Sequence, residues 1–161
     1  MMKIGIISDT HGFLREEIIG VFGDCSLIFH AGDIGKPSII HDLETIAPVV
    51  VVKGNNDKEE WAQNLPNETY TEVGSKMIYM IHDLKESQVI FQESKIDIVI
   101  SGHSHIYKEE QKENILYLNP GGAGPKRFGR LPTVMVIEIE KEIIKVQKMI
   151  LVVSSKNTII F

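Results

Sequence analysis

The chain has 161 residues, 43% hydrophobic and 24% charged, a balance that excludes a disordered or fibrous protein and fits one globular domain over 1–161. Its 22 acidic and 17 basic residues leave a formal net charge of −5, which excludes a general nucleic-acid-binding surface, although bound cations would make a local site positive. No apolar run approaches the ~20 residues needed to span a bilayer, no secretion-type leader opens the chain, and the single Cys25 cannot form an internal disulfide, so a cytoplasmic protein is expected.

In chain order, the apolar run from Ile4 ends in Ser8-Asp9-Thr10-His11-Gly12. Residues two apart in extended chain face one side, so Asp9 and His11 can converge on one point, as chelation of a cation requires. Residues 13–22 read as an amphipathic helix with Leu14, Ile18 and Phe22 on one stripe, closed by Gly23. Leu27 to Phe29 is a strand that delivers Asp33 through Ala31-Gly32. A helix over 38–47 follows Pro37 and ends at Pro48. Val49 to Val52 reads as a fully buried, central, parallel strand leading to Gly54-Asn55-Asn56-Asp57.

The stretch 58–68 is irregular and holds the only tryptophan, Trp61, as a flap near the site would. Strands over 69–73 and 76–81 form a hairpin, and the second stops at His82. A helix over 85–94 leads to a strand over 97–100, then to Gly102-His103-Ser104-His105, two imidazoles again two apart. Runs 107–112 and 115–118 make a further hairpin, Asn119-Pro120-Gly121 opens a glycine-rich loop, and three β-rich runs fill 133–161. This order predicts an α/β fold in which two sheets form a β-sandwich flanked by helices, with the ligand site beyond the carboxyl ends of the strands.

Asp9, His11, Asp33, Asn55, His82, His103 and His105 form the candidate metal-ligand set. Asp33 can bridge two ions because a carboxylate has two oxygens. Oxygen and imidazole donors without thiolate suit Mn, Fe, Co, Ni or Zn, with Mn placed first. Two divalent ions carry four positive charges, of which two carboxylates and one hydroxide cancel three. The remaining positive charge favours a phosphate ester as substrate, and hydrolysis by in-line attack of the hydroxide is the reaction expected.

These motifs resemble the calcineurin-like metallophosphoesterases, in particular the small YfcE-type phosphodiesterases. The match runs through Asp9-Thr10-His11, Gly32-Asp33, Gly54-Asn55-Asn56-Asp57, His82, Gly102-His103-Ser104-His105 and Asn119-Pro120-Gly121. The resemblance implies a β-sandwich flanked by helices, with Asp9, His11, Asp33 and His105 around one metal and Asp33, Asn55, His82 and His103 around the other. Asp33, Asn55, Asn56 and His82 are the candidates for direct roles in hydrolysis. Three positions depart from the family pattern: Asp83 follows His82 where small members have Gly, Gly122 replaces a Ser, and Asn56 stands where larger relatives carry a general-acid His.

The remaining polar residues carry two readings each. His30 either orients a ligand or makes a core hydrogen bond, and Asp57 either supports Asn55 or caps the next segment. Lys126, Arg127 and Arg130 either clamp a substrate phosphate or lie in a solvated loop. His41 is expected at the surface and Cys25 in the core. Met149 to Val153 is a buried or edge strand or a dimer interface, and a homodimer would bury part of 143–161. From a different class of function, the rival reading is a non-catalytic protein-binding scaffold of the same fold, as in the related retromer subunit.

Overall fold

The computed structural model describes residues 1–127, 129–153 and 158–160. One sheet has the order β11-β10-β9-β1-β2-β3, built from β1 (Met2–Ile7), β2 (Leu27–His30), β3 (Val49–Val51), β9 (Thr133–Glu140), β10 (Ile143–Val153) and β11 (Thr158–Ile160). The other has the order β4-β5-β6-β8-β7, from β4 (Glu68–Val73), β5 (Lys76–Ile81), β6 (Ile98–Ile100), β7 (Lys108–Lys112) and β8 (Ile115–Asn119). Strands β1, β2 and β3 are parallel, and so are β5, β6 and β8. The ligand-bearing loops follow the carboxyl ends of β1, β2 and β3 in one sheet and of β5 and β6 in the other.

Between the sheets, Ile4, Ile6 and Phe29 of one pack with Ile78, Met80, Ile98 and Ile100 of the other. These side chains are fully buried, and each contributes about 1.5–3 kcal/mol relative to exposure. The outer face of the first sheet is covered by α1 (Glu17–Phe22) and α2 (Pro37–Glu44) through Ile18, Phe22, Ile39 and Leu43. Tyr79, Val99 and Ile115 line the outer face of the second, under Leu84, Val89 and Phe91. The layers are therefore helices, sheet, sheet, and a cover of short 3₁₀ turns. Among the described residues no helix is long and apolar enough to cross a membrane.

Four expectations are corrected. The first helix begins only at Glu17, because the Phe13 N–H turns back to Thr10 C=O at 3.0 Å and Arg15 crosses to Gly124 C=O. The second, predicted over 38–47, runs Pro37–Glu44; the Thr45 hydroxyl donates to Asp42 C=O and closes it. The valine strand is an edge strand and only half-buried, since no strand among the described residues pairs its far side. The helix over 85–94 is instead two 3₁₀ turns, Leu84–Glu86 and Phe91–Glu93. There Ser87 Oγ pairs with Tyr79 and accepts from Val89 N–H, and Ser94 Oγ–H donates to Phe91 C=O. Such local side-chain bonds compete with a helical ladder. The hairpins 68–81 and 108–119 form as read. Segment 143–153 lies inside the sheet between β9 and β11, and Leu151 is buried. Positions 154–157 and 161 of the expected dimer segment lie outside the described residues.

Candidate metal centre

Each sheet presents its ligands from tight turns that ordinary side chains avoid. Seven described non-glycine residues have positive φ, and five of them are Asp9, His11, Asp33, His103 and His105; the other two, Glu113 and Lys141, turn hairpins. Left-handed backbone at five ligand candidates is local strain that persists only where the surroundings over-determine it, and such strain clusters at functional sites. Here the surroundings are cross-loop bonds: Asp9 N–H to Gly32 C=O, His11 N–H to Asp33 C=O, and Gly102 N–H to His82 C=O, at 2.9–3.0 Å. Gly102 lets the sheets approach, since a methyl there would collide with Ser8 Oγ and Asp9 Oδ2.

The donors that orient the ligands leave acceptors facing one another. Asp9 Oδ2 receives Ser8 Oγ–H at 2.8 Å and His103 N–H at 3.1 Å, while Asp9 Oδ1 is buried with no hydrogen-bond partner among the described residues. That oxygen lies 3.3 Å from His105 Nε2, 3.8 Å from His11 Nε2 and 3.9 Å from His82 Nε2. His11 Nε2 and His105 Nε2 face each other at 3.3 Å.

On the other side, His82 Nδ1 pairs with Ala31 C=O at 2.7 Å. A carbonyl only accepts, so Nδ1 carries a proton, and Nε2 faces Asn55 Oδ1, 3.0 Å away, and Asp33 Oδ2, 3.4 Å away. His103 Nδ1 meets the same Asn55 oxygen at 3.1 Å. A cation between these atoms would satisfy them together. Ions held at about 2.0–2.2 Å bring neighbouring ligand atoms to about 3–3.5 Å, and the atoms here lie 3.0–3.9 Å apart. Two groups of carboxylate and imidazole converge, Asp9-His11-His105 and Asp9-Asp33-His82. The residues present fit metal ions.

Protonation follows the same geometry. Burial alone would raise the Asp33 pKa, but His82 and the Asn56 backbone and amide donors hold its carboxyl well below the usual carboxylate range. Burial pulls His82 down, yet its hydrogen-bonding contact with Asp33 and the charges of Asp9 and Asp33 raise it overall: in the absence of metal a proton is the cation the centre attracts. Burial pushes His11 down, against the field of Asp33, and Arg127 adds to the fall.

All seven sequence-predicted ligands meet in this centre. Asn56 stands beside it in a supporting role, with its Nδ2–H donating to Asp33 Oδ2 at 2.8 Å and its N–H to Oδ1 at 2.9 Å. The reading of His30 as orienting or merely core resolves into a strut. Gly32 N–H donates to its Nδ1, so Nε2–H is given to Thr10 Oγ, whose hydroxyl continues to Ile34 C=O. Burial pushes its pKa down to about 4. Asp57 accepts from Ile34, Gly35 and Gly54 N–H, tying the Asp33 loop to the Asn55 loop.

Sequence reasoning did not assign Ser8, which holds Asp9, or Asn119, whose amide donates to Gly102 C=O and Ser104 Oγ and so braces the two-histidine loop. The Asn-Pro-Gly turn was the one signal for Asn119; Ser8 had none. His41 is exposed and Cys25 buried, as expected. A cavity of about 280 Å³ opens beside Asn55 and His82, walled by Lys53, Lys58, Gln63 and Asn67. Trp61 of the expected flap packs instead toward the helix layer.

The family model of the calcineurin-like phosphoesterase superfamily domain matches residues 2–142. A probable metallophosphoesterase of Methanothermobacter thermautotrophicus is 35% identical over 153 residues, covering 88% of this chain and 88% of that protein. Among solved structures, an archaeal phosphodiesterase is similar with a TM-score of 0.77 at 27% identity, covering 91% of this chain and 99% of that one. Vps29 of Chaetomium thermophilum reaches a TM-score of 0.83 at 18% identity, covering 100% of this chain and 96% of its own, a likeness of fold alone. The sandwich with its ligands at the parallel strand ends, the span of the family model and the identity to the archaeal relative agree, and the chain belongs to the calcineurin-like phosphoesterase superfamily.

Proposed function

We propose that the protein is a metal-dependent phosphodiesterase or phosphatase working on small phosphate esters through a centre of two divalent cations. The observation that carries this reading is the inward set of potential ligand atoms: orphaned Asp9 Oδ1, the facing Nε2 atoms of His11 and His105, and His82 Nε2 beside Asn55 Oδ1. Asp9, His11, Asp33 and His105 would hold one ion, and Asp33, Asn55, His82 and His103 the other. Support for the bridge is Asp33 Oδ2, 3.4 Å from His82 Nε2 and 3.8 Å from His11 Nε2. The donor set favours Mn²⁺, with Fe, Co, Ni or Zn as substitutes. When bound, paired ions supply an ionised water as nucleophile and stabilise the oxygens of an in-line displacement at phosphorus.

The chain's own residues do the rest. Asn56 keeps Asp33 ionised and aimed, and Ser8 aims Asp9. Arg127, close enough to act on His11, offers a guanidinium to the phosphoryl oxygens. Lys53 and Lys58 line the adjoining polar cavity, where the ester's alcohol portion fits. His30 delivers no proton to a leaving group, because its Nε2–H is committed to Thr10 and the ring is wholly buried. A scaffold of the same fold, the rival reading raised by Vps29, has no use for a buried carboxylate oxygen such as Asp9 Oδ1 left without a partner, which costs stability unless a cation meets it. The deciding experiment is hydrolysis of bis(p-nitrophenyl) phosphate and p-nitrophenyl phosphate by metal-stripped protein resupplied with Mn²⁺. Metal-restored turnover is expected, and none with any of the five metals would refute the proposal.

A further inference from the structure

Among the four histidine ligand candidates, His103 is the least held by packing. Its side chain is 45% exposed, against 13% for His11 and His105 and 5% for His82, and its backbone sits at φ 69°. Its ring rests edge-on against His82, with centroids 5.2 Å apart. Nδ1 faces Asn55 Oδ1 at 3.1 Å, and on the far side of the ring Nε2 lies 3.7 Å from Asp83 Oδ2. Asp83 is itself fixed from the backbone: Oδ1 accepts Lys85 N–H at 3.1 Å and caps the turn Leu84–Glu86, which leaves Oδ2 directed at the imidazole.

We propose that Asp83 is a positioning residue for His103. Its carboxylate holds the ring so that Nδ1 points to the locus shared by Asn55 Oδ1 and His82 Nε2, and it thereby tightens the cation bound there. At 3.7 Å the contact is electrostatic rather than a hydrogen bond. A carboxylate on that side favours the ring with its proton on Nε2, the tautomer that leaves Nδ1 free to ligate. Partners on the outer nitrogen of a ligating histidine typically change metal affinity by about 10–100-fold. The inference rests on the proposed two-ion centre, specifically on His103 as a ligand.

The test is a calorimetric binding isotherm for Mn²⁺ on metal-stripped protein. Asp83→Asn keeps an acceptor for Lys85 N–H and removes only the charge, so it should melt with the wild type and weaken one of two binding events about 10–100-fold, leaving the other unchanged. In a His103→Ala background the same substitution should have no further effect, which a merely structural role for Asp83 would not predict. An Asp83→Asn isotherm that overlays the wild type, or an equal loss at both events, overturns the proposal. A wild-type isotherm with a single event would instead sink the two-ion reading, and the role of Asp83 with it.

Discussion

Replacing Asn56 by Ala removes one donor from one buried oxygen. Asp33 is 3% exposed and its Oδ2 takes the Asn56 amide at 2.8 Å, while Oδ1 keeps the Asn56 backbone N–H at 2.9 Å. A hydrogen bond to a charged group contributes about 1.5–3 kcal/mol, so Asn56→Ala should destabilise the metal-free protein by about that much. For a chain of this size that is about 2–4 °C in Tm for each kcal/mol. Because contacts in the fold hold the Asp33 pKa below its unfolded value, its stabilising contribution is complete above the unfolded carboxyl pKa of about 4. It is lost as pH falls through the lowered folded value. The deficit of the variant should therefore be of full size at pH 7 and pH 5 and shrink only in stronger acid. Urea denaturation of both metal-free proteins at those two pH values measures it. A difference below about 0.5 kcal/mol at pH 7, the scatter of neutral surface substitutions, would refute the idea that the Asn56 side chain holds Asp33.

Asp57→Ala deprives three backbone N–H groups of their acceptor, two of them, at Ile34 and Gly54, on buried residues. At about 1–3 kcal/mol for each buried donor left unpaired, a loss of about 2–6 kcal/mol should appear in urea unfolding, and a loss under about 1 kcal/mol would contradict the bracing role. Asp33→Asn should abolish Mn²⁺-dependent turnover per folded molecule, whereas His30→Ala should act mainly on stability, since the hydrogen bonds of the His30 ring run to Thr10 and Gly32; equal losses of turnover with both folded would overturn the ligand assignment. With Asn56 engaged by Asp33 and His30 sealed, aryl phosphodiesters should be cleaved far faster than alkyl ones, because general-acid help worth roughly 10²–10⁴-fold is missing. Alkyl esters turned over as fast as aryl ones in a graded leaving-group series would reveal an acid elsewhere.

What could be read from the sequence alone was local. A short apolar run stopping at Asp9 and His11, or at His103 and His105, announces a strand end with two ligands on one side, and both the periodicity and the spacing lie within a few consecutive residues. The hairpins and the two-sheet plan follow in the same way from alternation and turn residues. The structure decided what depends on partners distant in sequence. Val49 to Val51 are as β-branched as any central strand, and their edge position reflects only that no other strand among the described residues pairs beyond them. The stretch 85–94 reads as a helix, but Ser87 pairs with Tyr79 and Val89, and Leu84, Val89 and Phe91 form a cover for Tyr79 and Val99. The roles of Asn56, Asp57, His30 and Asp83 were likewise undetermined, because an amide, carboxylate or imidazole takes whatever partner the fold presents: Asp33 is 23 residues from Asn56 along the chain and 2.8 Å away in space. Chain-local geometry nominates the ligands, while the choice of what holds each one is made by packing the two sheets together, where a buried polar atom must find its partner or leave its free energy unrecovered.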